Sequence, residues 1–290
     1  MSEGQMTYKT LVKRDTLARH LQDPRWVIID CRFNLADPAA GEAAYCENHI
    51  PNARYANLER DLSGPKTATT GRHPLPDPRA LARTFGDWGI DNRTQVVAYD
   101  DAGGAMAARL WWLMRWLGHT AVAVLDGGIG RWREERRPLG AELPQIARAR
   151  FSLQLDHDAW VGSDFIERNL TEKQSIVLDA RAAERFSGKT EPIDPVAGHI
   201  PHALNRPFDR NLDMRGEFLP PAALRQSLIT ALPGTSPERV IHMCGSGVTA
   251  CHNLLAMEIA GLSGSRLYAG SWSEWITDPA RPRASNDADR

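Results

Sequence analysis

Cysteine is scarce in this chain. Four occur in 290 residues, Cys31, Cys46, Cys244 and Cys251, with no Cys-x-x-Cys pair, and the first two lie far from the others. That excludes a disulfide framework and a zinc-ligand spacing. A conspicuous cysteine in a reducing compartment is then either a reactive thiol or a small buried apolar residue. Net charge is nearly absent as well, at -1, so nothing global argues for nucleic acid or an anionic membrane as partner. No apolar run approaches the ~20 residues that span a bilayer. Met1 to Thr10 has neither a secretory apolar core nor an Arg-rich amphipathic presequence. These absences make a cytoplasmic protein the expectation. With no self-complementary apolar surface legible, a monomer is expected too. What is present is ordinary: 42% apolar and 24% charged residues, in a chain long enough for two cores.

The chain repeats itself once, at a domain-sized period of roughly 145 residues, which points to duplication and not to a solenoid. Trp26-Val-Ile-Ile-Asp30-Cys-Arg32 returns as Ser175-Ile-Val-Leu-Asp179-Ala-Arg181, and His49-Ile-Pro51 as His199-Ile-Pro201. Val96-Val-Ala-Tyr99 returns as Val240-Ile-His-Met243, and Leu125-Asp-Gly-Gly128 with Trp132 as Leu267-Tyr-Ala-Gly270 with Trp272 and Trp275. Each match is weak alone; their common order makes chance a poor explanation.

Each half alternates strand and helix. The short runs at 26–30, 96–99, 122–125, 176–179 and 240–243 are rich in β-branched residues and predict buried parallel strands. Residues 103–117 predict a helix with Met106, Leu110, Leu113, Met114 and Leu117 on one face. A similar stripe, Cys251, Leu254, Leu255 and Ile259, follows Gly247, with Gly118 and Gly261 as helix ends. The fold class expected is α/β, with a mainly parallel sheet in each half covered by helices on both faces. The expected domains are 7–137 and 151–277. The linker is 138–150, where Pro138, Gly140 and Pro144 interrupt regular structure. The polar tail from Asp278 onward is expected to be mobile.

The halves differ where chemistry would sit. In the second, strand 239–243 runs into Cys244-Gly-Ser-Gly-Val-Thr249 and then a helix. Ligands of open α/β sheets bind beyond the carboxyl ends of strands. A loop with two glycines there leaves backbone N–H groups free to converge, and the helix dipole adds positive potential. An anionic sulfur on Cys244 is favoured at such a place, and Ser246 and Thr249 offer hydroxyl donors. The competing reading, a small buried residue ending a strand, is the better one for Cys251, on its apolar stripe, and for Cys31 and Cys46, which have no flanking feature. In the first half the equivalent loop is Asp100-Asp-Ala-Gly-Gly-Ala105, and Asp100 takes the place of Cys244. A carboxylate cannot carry a sulfane sulfur, so this half reads as catalytically silent.

These residues resemble a known family, the tandem rhodanese-like sulfurtransferases that act on thiosulfate or 3-mercaptopyruvate, in which an inactive first domain precedes an active second one. The resemblance covers about residues 7–277. It is carried by Cys244-Gly-Ser-Gly-Val-Thr249, Asp179-Ala-Arg-Ala-Ala-Glu-Arg185-Phe, Gly198-His-Ile-Pro201 and Gly270-Ser-Trp-Ser-Glu-Trp275. It implies a persulfide on Cys244 in a loop of Gly245, Ser246, Gly247, Val248 and Thr249. It further implies donor binding by Arg185 and buttressing by Asp179 and Arg181. No metal or organic cofactor is implied. The Cys-Gly-Ser loop is similar to mercaptopyruvate enzymes. The second arginine typical of those enzymes is missing from Glu191-Pro-Ile-Asp-Pro-Val196, however. Arg72 and His73 either substitute for it or are solvated loop residues.

The chemistry implied is a double displacement: the donor's sulfur passes to Cys244, then to cyanide or a thiol such as reduced thioredoxin or glutathione, with Ser246 handling a proton on a leaving enolate. A cysteine-dependent phosphatase is the weaker rival reading, because it needs an arginine where Ala250 stands and a loop one residue longer. A non-turnover persulfide carrier or redox sensor would use the same residues and is separated only by turnover.

Overall fold

The computed structural model describes residues 7–285, so Met1–Met6 of the N-terminal reading and residues 286–290 of the tail lie outside it. The described chain divides into two compact units. One comprises the chain up to Leu62, Asp77–Asp156 and Arg215–Glu217; the other Ser63–Pro76, His157–Met214 and the chain from Phe218.

Each unit holds a five-stranded, all-parallel sheet. In the first, β1 (Leu11–Val12), β2 (Trp26–Asp30), β3 (Arg54–Tyr55), β4 (Gln95–Tyr99) and β5 (Val122–Leu125) lie in the order β1-β5-β4-β2-β3. In the second, β6 (Trp160–Val161), β7 (Ile176–Asp179), β8 (Leu204–Asn205), β9 (Val240–Met243) and β10 (Arg266–Tyr268) lie in the order β6-β10-β9-β7-β8. The topologies are identical, and β4 and β9 are the central strands. Asp30 pairs with Tyr99 and Asp179 with Met243, so Asp100 and Cys244 each leave the carboxyl end of a central strand.

The strands are continuous apolar runs because both faces of the sheet are buried. Trp26, Ile28, Val97, Tyr99, Ala123 and Leu125 join one core with Trp132, and the intervening Val27, Ile29, Val96 and Ala98 are buried too. In the second unit Val177, Ile241, Met243, Tyr268, Trp272 and Trp275 form the corresponding core. The helices after the central strands, Ala107–Trp116 and Ala250–Ile259, are buried almost all round, not along one stripe. Gly118 (φ +88°) and Gly261 (φ +68°) terminate them in the left-handed region that the sequence anticipated. The first helix starts at Ala107 instead of 103.

The expected mobility of the tail is corrected as far as Ser285. Ala284 and His199 exchange backbone hydrogen bonds of 2.9 and 2.8 Å, the indole N–H of Trp275 donates to Pro282 at 2.9 Å, and Arg281 lies over the Trp275 ring. The same device follows the first sheet: Gly140 and His49 exchange backbone bonds of 2.9 and 2.8 Å, Trp132 donates to Pro138 at 2.8 Å, and Arg137 lies over Trp132. A buried indole must place its N–H on an acceptor, and an extended strap with Pro carbonyls supplies one. The strap after the first sheet continues through Ala149, bonded to Gly86, and Asp156, bonded to Trp116. No helix among the described residues is long and apolar enough to cross a membrane.

Candidate active site

The site grows from the loop Cys244–Thr249. Gly247 has φ +77°, and a Cβ there would lie 2.3 Å from the carbonyl oxygen of Ala269, so only glycine lets the loop close. The Gly270-Ser-Trp-Ser-Glu-Trp motif clamps it: the amides of Trp272 and Ser273 donate to the carbonyls of Cys244 (3.0 Å) and Gly245 (2.8 Å), and Ser271 Oγ accepts from the Cys244 amide at 3.1 Å. With the loop carbonyls held from behind, its amides face the other way. Among the described residues, the N–H groups of Gly245, Ser246, Val248 and Thr249 donate to no protein oxygen. Cys244 itself is 2% exposed.

The first unit shows what such a loop holds when it is filled. The loop Asp100–Met106 is one residue longer than Cys244–Thr249. The buried Asp100 carboxylate accepts from the amides of Ala102 (2.9 Å), Gly104, Met106 and Ala107 (2.8 Å each). Burial pushes this carboxyl above its ordinary value, and the four amides pull against that shift. These bonds wind residues 102–106 around the side chain and displace the helix start. The first loop thus carries its own anion.

Around Cys244 the second unit collects groups from distant parts of the sequence. Arg185, on the short helix Ala183–Phe186, gives its Nε to Glu191 Oε1 (2.9 Å) and its Nη2 to Asp194 Oδ2 (3.0 Å). Burial alone would raise Glu191, but the hydrogen bond and charge of Arg185 and the amides of Asp194 and Ile193 hold it below its ordinary value. Burial raises Asp194, with Glu191 adding to the shift and Arg72 and Arg185 opposing it. Arg72 and His73 are not solvated loop residues. Arg72 forms an ion pair with Asp194, and the Nδ1 of buried His73 lies 2.7 Å from Ser246 Oγ. Asp179 and Arg181 form a buried bidentate pair (2.7–3.2 Å), Arg181 also donating to the Gly198 carbonyl at 2.8 Å. Asp30 and Arg32 repeat it in the first unit, with the bond to Asn48, so this pair braces the fold in both copies.

Of the sequence-predicted residues, Gly245, Ser246, Gly247, Val248 and Thr249 form the loop beside Cys244, and Arg185 faces it: Nη2 and Nη1 lie 3.5 and 3.6 Å from where a Cβ on Gly245 would be. Cys251 is buried behind the loop, its thiol 3.3 Å from the Gly247 carbonyl. Cys31 is buried, its thiol pushed up by burial and by Asp100 and Asp30; Cys46 is exposed. Sequence reasoning missed Glu191, Asp194, Ser271 and Ser273. Only the last two carried a signal, as part of a recurring motif. Among the described residues no group of three or more His, Cys, Asp or Glu is placed to hold a metal ion.

Comparison with known proteins agrees with this architecture. The rhodanese-like domain family matches residues 13–135 and again 164–278. A Pseudomonas aeruginosa protein named probable 3-mercaptopyruvate sulfurtransferase is 47% identical over 97% of this chain and all of its own length. A Mycobacterium tuberculosis protein named putative thiosulfate sulfurtransferase SseB is 39% identical over 88% of this chain and 89% of its own. The crystal structure of Escherichia coli SseA, described as a 3-mercaptopyruvate sulfotransferase, superposes with a TM-score of 0.78 at 30% identity, over 92% of this chain and all of that one. The chain belongs to the rhodanese-like family, with two copies of the domain. Within that family its relatives place it among the sulfurtransferase enzymes.

Proposed function

We propose that the protein moves a sulfur atom from a small anionic donor, 3-mercaptopyruvate or thiosulfate, to a thiol or cyanide through a persulfide on Cys244. The observation that carries this reading is the contrast between the loops. Asp100 fills one cradle of amides, whereas the other surrounds a thiol and keeps four amides without a protein acceptor. An added sulfur anion is the acceptor those amides fit.

In the first half-reaction the Cys244 thiolate attacks the donor's sulfur. An Sγ–S bond forms, and the electron pair of the broken C–S or S–S bond leaves on pyruvate enolate or sulfite. Arg185 orients the donor anion. The enolate must take a proton at carbon, and Ser246, hydrogen-bonded to His73, is the group placed to deliver it. Sulfite needs none. In the second half-reaction the acceptor attacks the outer sulfur and the Cys244 thiolate is released. The acceptor class is a thiol such as reduced thioredoxin or glutathione, or cyanide. The setting is the cytoplasm, the state a monomer, and neither nucleic acid nor a membrane is a partner. No cofactor takes part in these steps.

Incubation with donor followed by mass spectrometry should add one sulfur atom to the peptide containing Cys244, and Cys244→Ser should abolish transfer while the protein stays folded. Sulfur found on Cys251, or activity retained in the serine variant, would refute the assignment. A single sulfur load without repeated turnover would make the protein a carrier.

A further inference from the structure

The segment Gly71–His73 is pinned against the clamp motif. A Cβ on Gly71 would lie 2.5 Å from the Gly270 carbonyl oxygen and 3.0 Å from Ser273 Oγ, and the Arg72 amide donates to that hydroxyl at 3.0 Å. The anchored backbone aims the Arg72 side chain at the loop, with Nη2 2.9 Å from where a Cβ on Gly245 would sit. Asp194 ties this guanidinium to that of Arg185, one carboxylate oxygen to each. Arg72 Nε is buried without a partner, and neither Arg72 Nη2 nor Arg185 Nη1 donates to any described residue. Gly245 keeps these groups uncrowded, since a Cβ there would lie 2.9 Å from Arg72 Nη2. A buried N–H such as that of Arg72 Nε, left unpaired, costs free energy that an incoming anion's oxygen recovers, and the two Nη groups offer it further donors.

Charge decides which anion. Arg72 and Arg185 bring two positive charges; Glu191 and Asp194, each 3% exposed at the side chain, bring two negative ones. Arg181 is cancelled by Asp179. The seat is therefore neutral as a whole, with directed donors: it suits a single carboxylate, and a doubly charged donor gains no net attraction there.

Resting on the sulfur-transfer reading, we infer that Arg72 is a second donor-binding arginine, and that Asp194, by positioning it and cancelling one of the two cationic charges, selects a singly charged carboxylate donor over a dianion. Asp194 acts through the arginines and through charge; Arg72 touches the donor.

The test compares steady-state kinetics with 3-mercaptopyruvate and thiosulfate, cyanide as common acceptor, in the full-length wild type, Asp194→Asn and Arg72→Gln. Asp194→Asn keeps the shape and adds one net positive charge. The ratio of kcat/KM for thiosulfate to that for mercaptopyruvate should rise by about tenfold or more at low salt and fall back as salt screens the seat. Arg72→Gln should raise KM for mercaptopyruvate by about tenfold with kcat within about threefold, the signature of lost binding. An unchanged or falling donor ratio in a folded Asp194→Asn overturns the selectivity. Unchanged KM in Arg72→Gln overturns the second arginine, and decides alone if the Asp194 variant fails to fold. A wild type that takes sulfur from neither donor would instead fail the underlying reading.

Discussion

The contact between Ser246 and His73 makes a sharp kinetic prediction, because the two donors place different demands on it. Both side chains are buried, at 5% and 2% exposure, and their 2.7 Å separation is that of a good hydrogen bond. With mercaptopyruvate the leaving carbon must be protonated; with thiosulfate the leaving sulfite departs already ionised. Ser246→Ala removes the proposed proton donor and leaves the loop backbone in place. General acid catalysis is worth about 10²–10⁴-fold, so kcat for mercaptopyruvate should drop by about a hundredfold or more, roughly 2.7 kcal/mol of barrier. The thiosulfate rate should stay within about threefold, since no proton transfer is lost. His73→Asn keeps a hydrogen-bonding group near Nδ1 without a titrating ring. It should reproduce the donor-selective loss, and the double variant should be little worse than either single one, as for residues acting as a unit. The assay is thiocyanate formation from each donor at saturating cyanide, with a thermal melt on each variant. Equal losses on both donors would show that Ser246 only shapes the loop, and no loss on mercaptopyruvate would remove the pair from the chemistry.

Two further outcomes follow from buried groups outside the transfer steps. Asp100→Ala strips the acceptor from four amides and should cost the protein about 3 kcal/mol or more of stability, read as a lower Tm, with the chemical step nearly unchanged; a hundredfold loss of kcat in the folded variant would put the first unit into the reaction. His242 on β9 has both ring nitrogens buried without a partner among the described residues, and burial, aided by the Arg206 charge, pushes its pKa down to about 3. The unfolded chain binds that proton first, so as pH falls below the ordinary histidine value of about 6.5 this residue withdraws stability at up to about 1.4 kcal/mol per pH unit. His242→Leu should flatten the difference in urea unfolding between pH 7 and pH 5, and an unchanged slope would refute the burial argument.

Much of this was legible because it is contiguous in sequence. The runs Trp26–Asp30, Ile176–Asp179 and Val240–Met243 are strands because both faces are buried, and a solid β-branched run announces that. The two-residue strands β1, β3, β6 and β8 are too short to carry any period. The tail was misread because its polar, Pro-containing composition says nothing of the backbone pairing of Ala284 with His199, a long-range event. The helix expected from 103 starts late because the Asp100 carboxylate claims the amides before it. Cys244 and its loop stand out as one hexapeptide. Arg72 and His73 stand as one of two alternatives and Asp194 not at all, since the contacts of Arg72 with Gly245, His73 with Ser246 and Asp194 with both arginines are made only by the fold.

The segment Ser63–Pro76 is numbered with the first half and packed with the second. The stretch carrying Arg72 and His73 is encoded in the half whose loop holds Asp100 in place of a cysteine. Trimming the protein to the half that bears Cys244 would leave Arg185 beside the loop and remove the segment that carries Arg72 and His73. A cut between the two halves by sequence number is therefore not a cut between the two packed units.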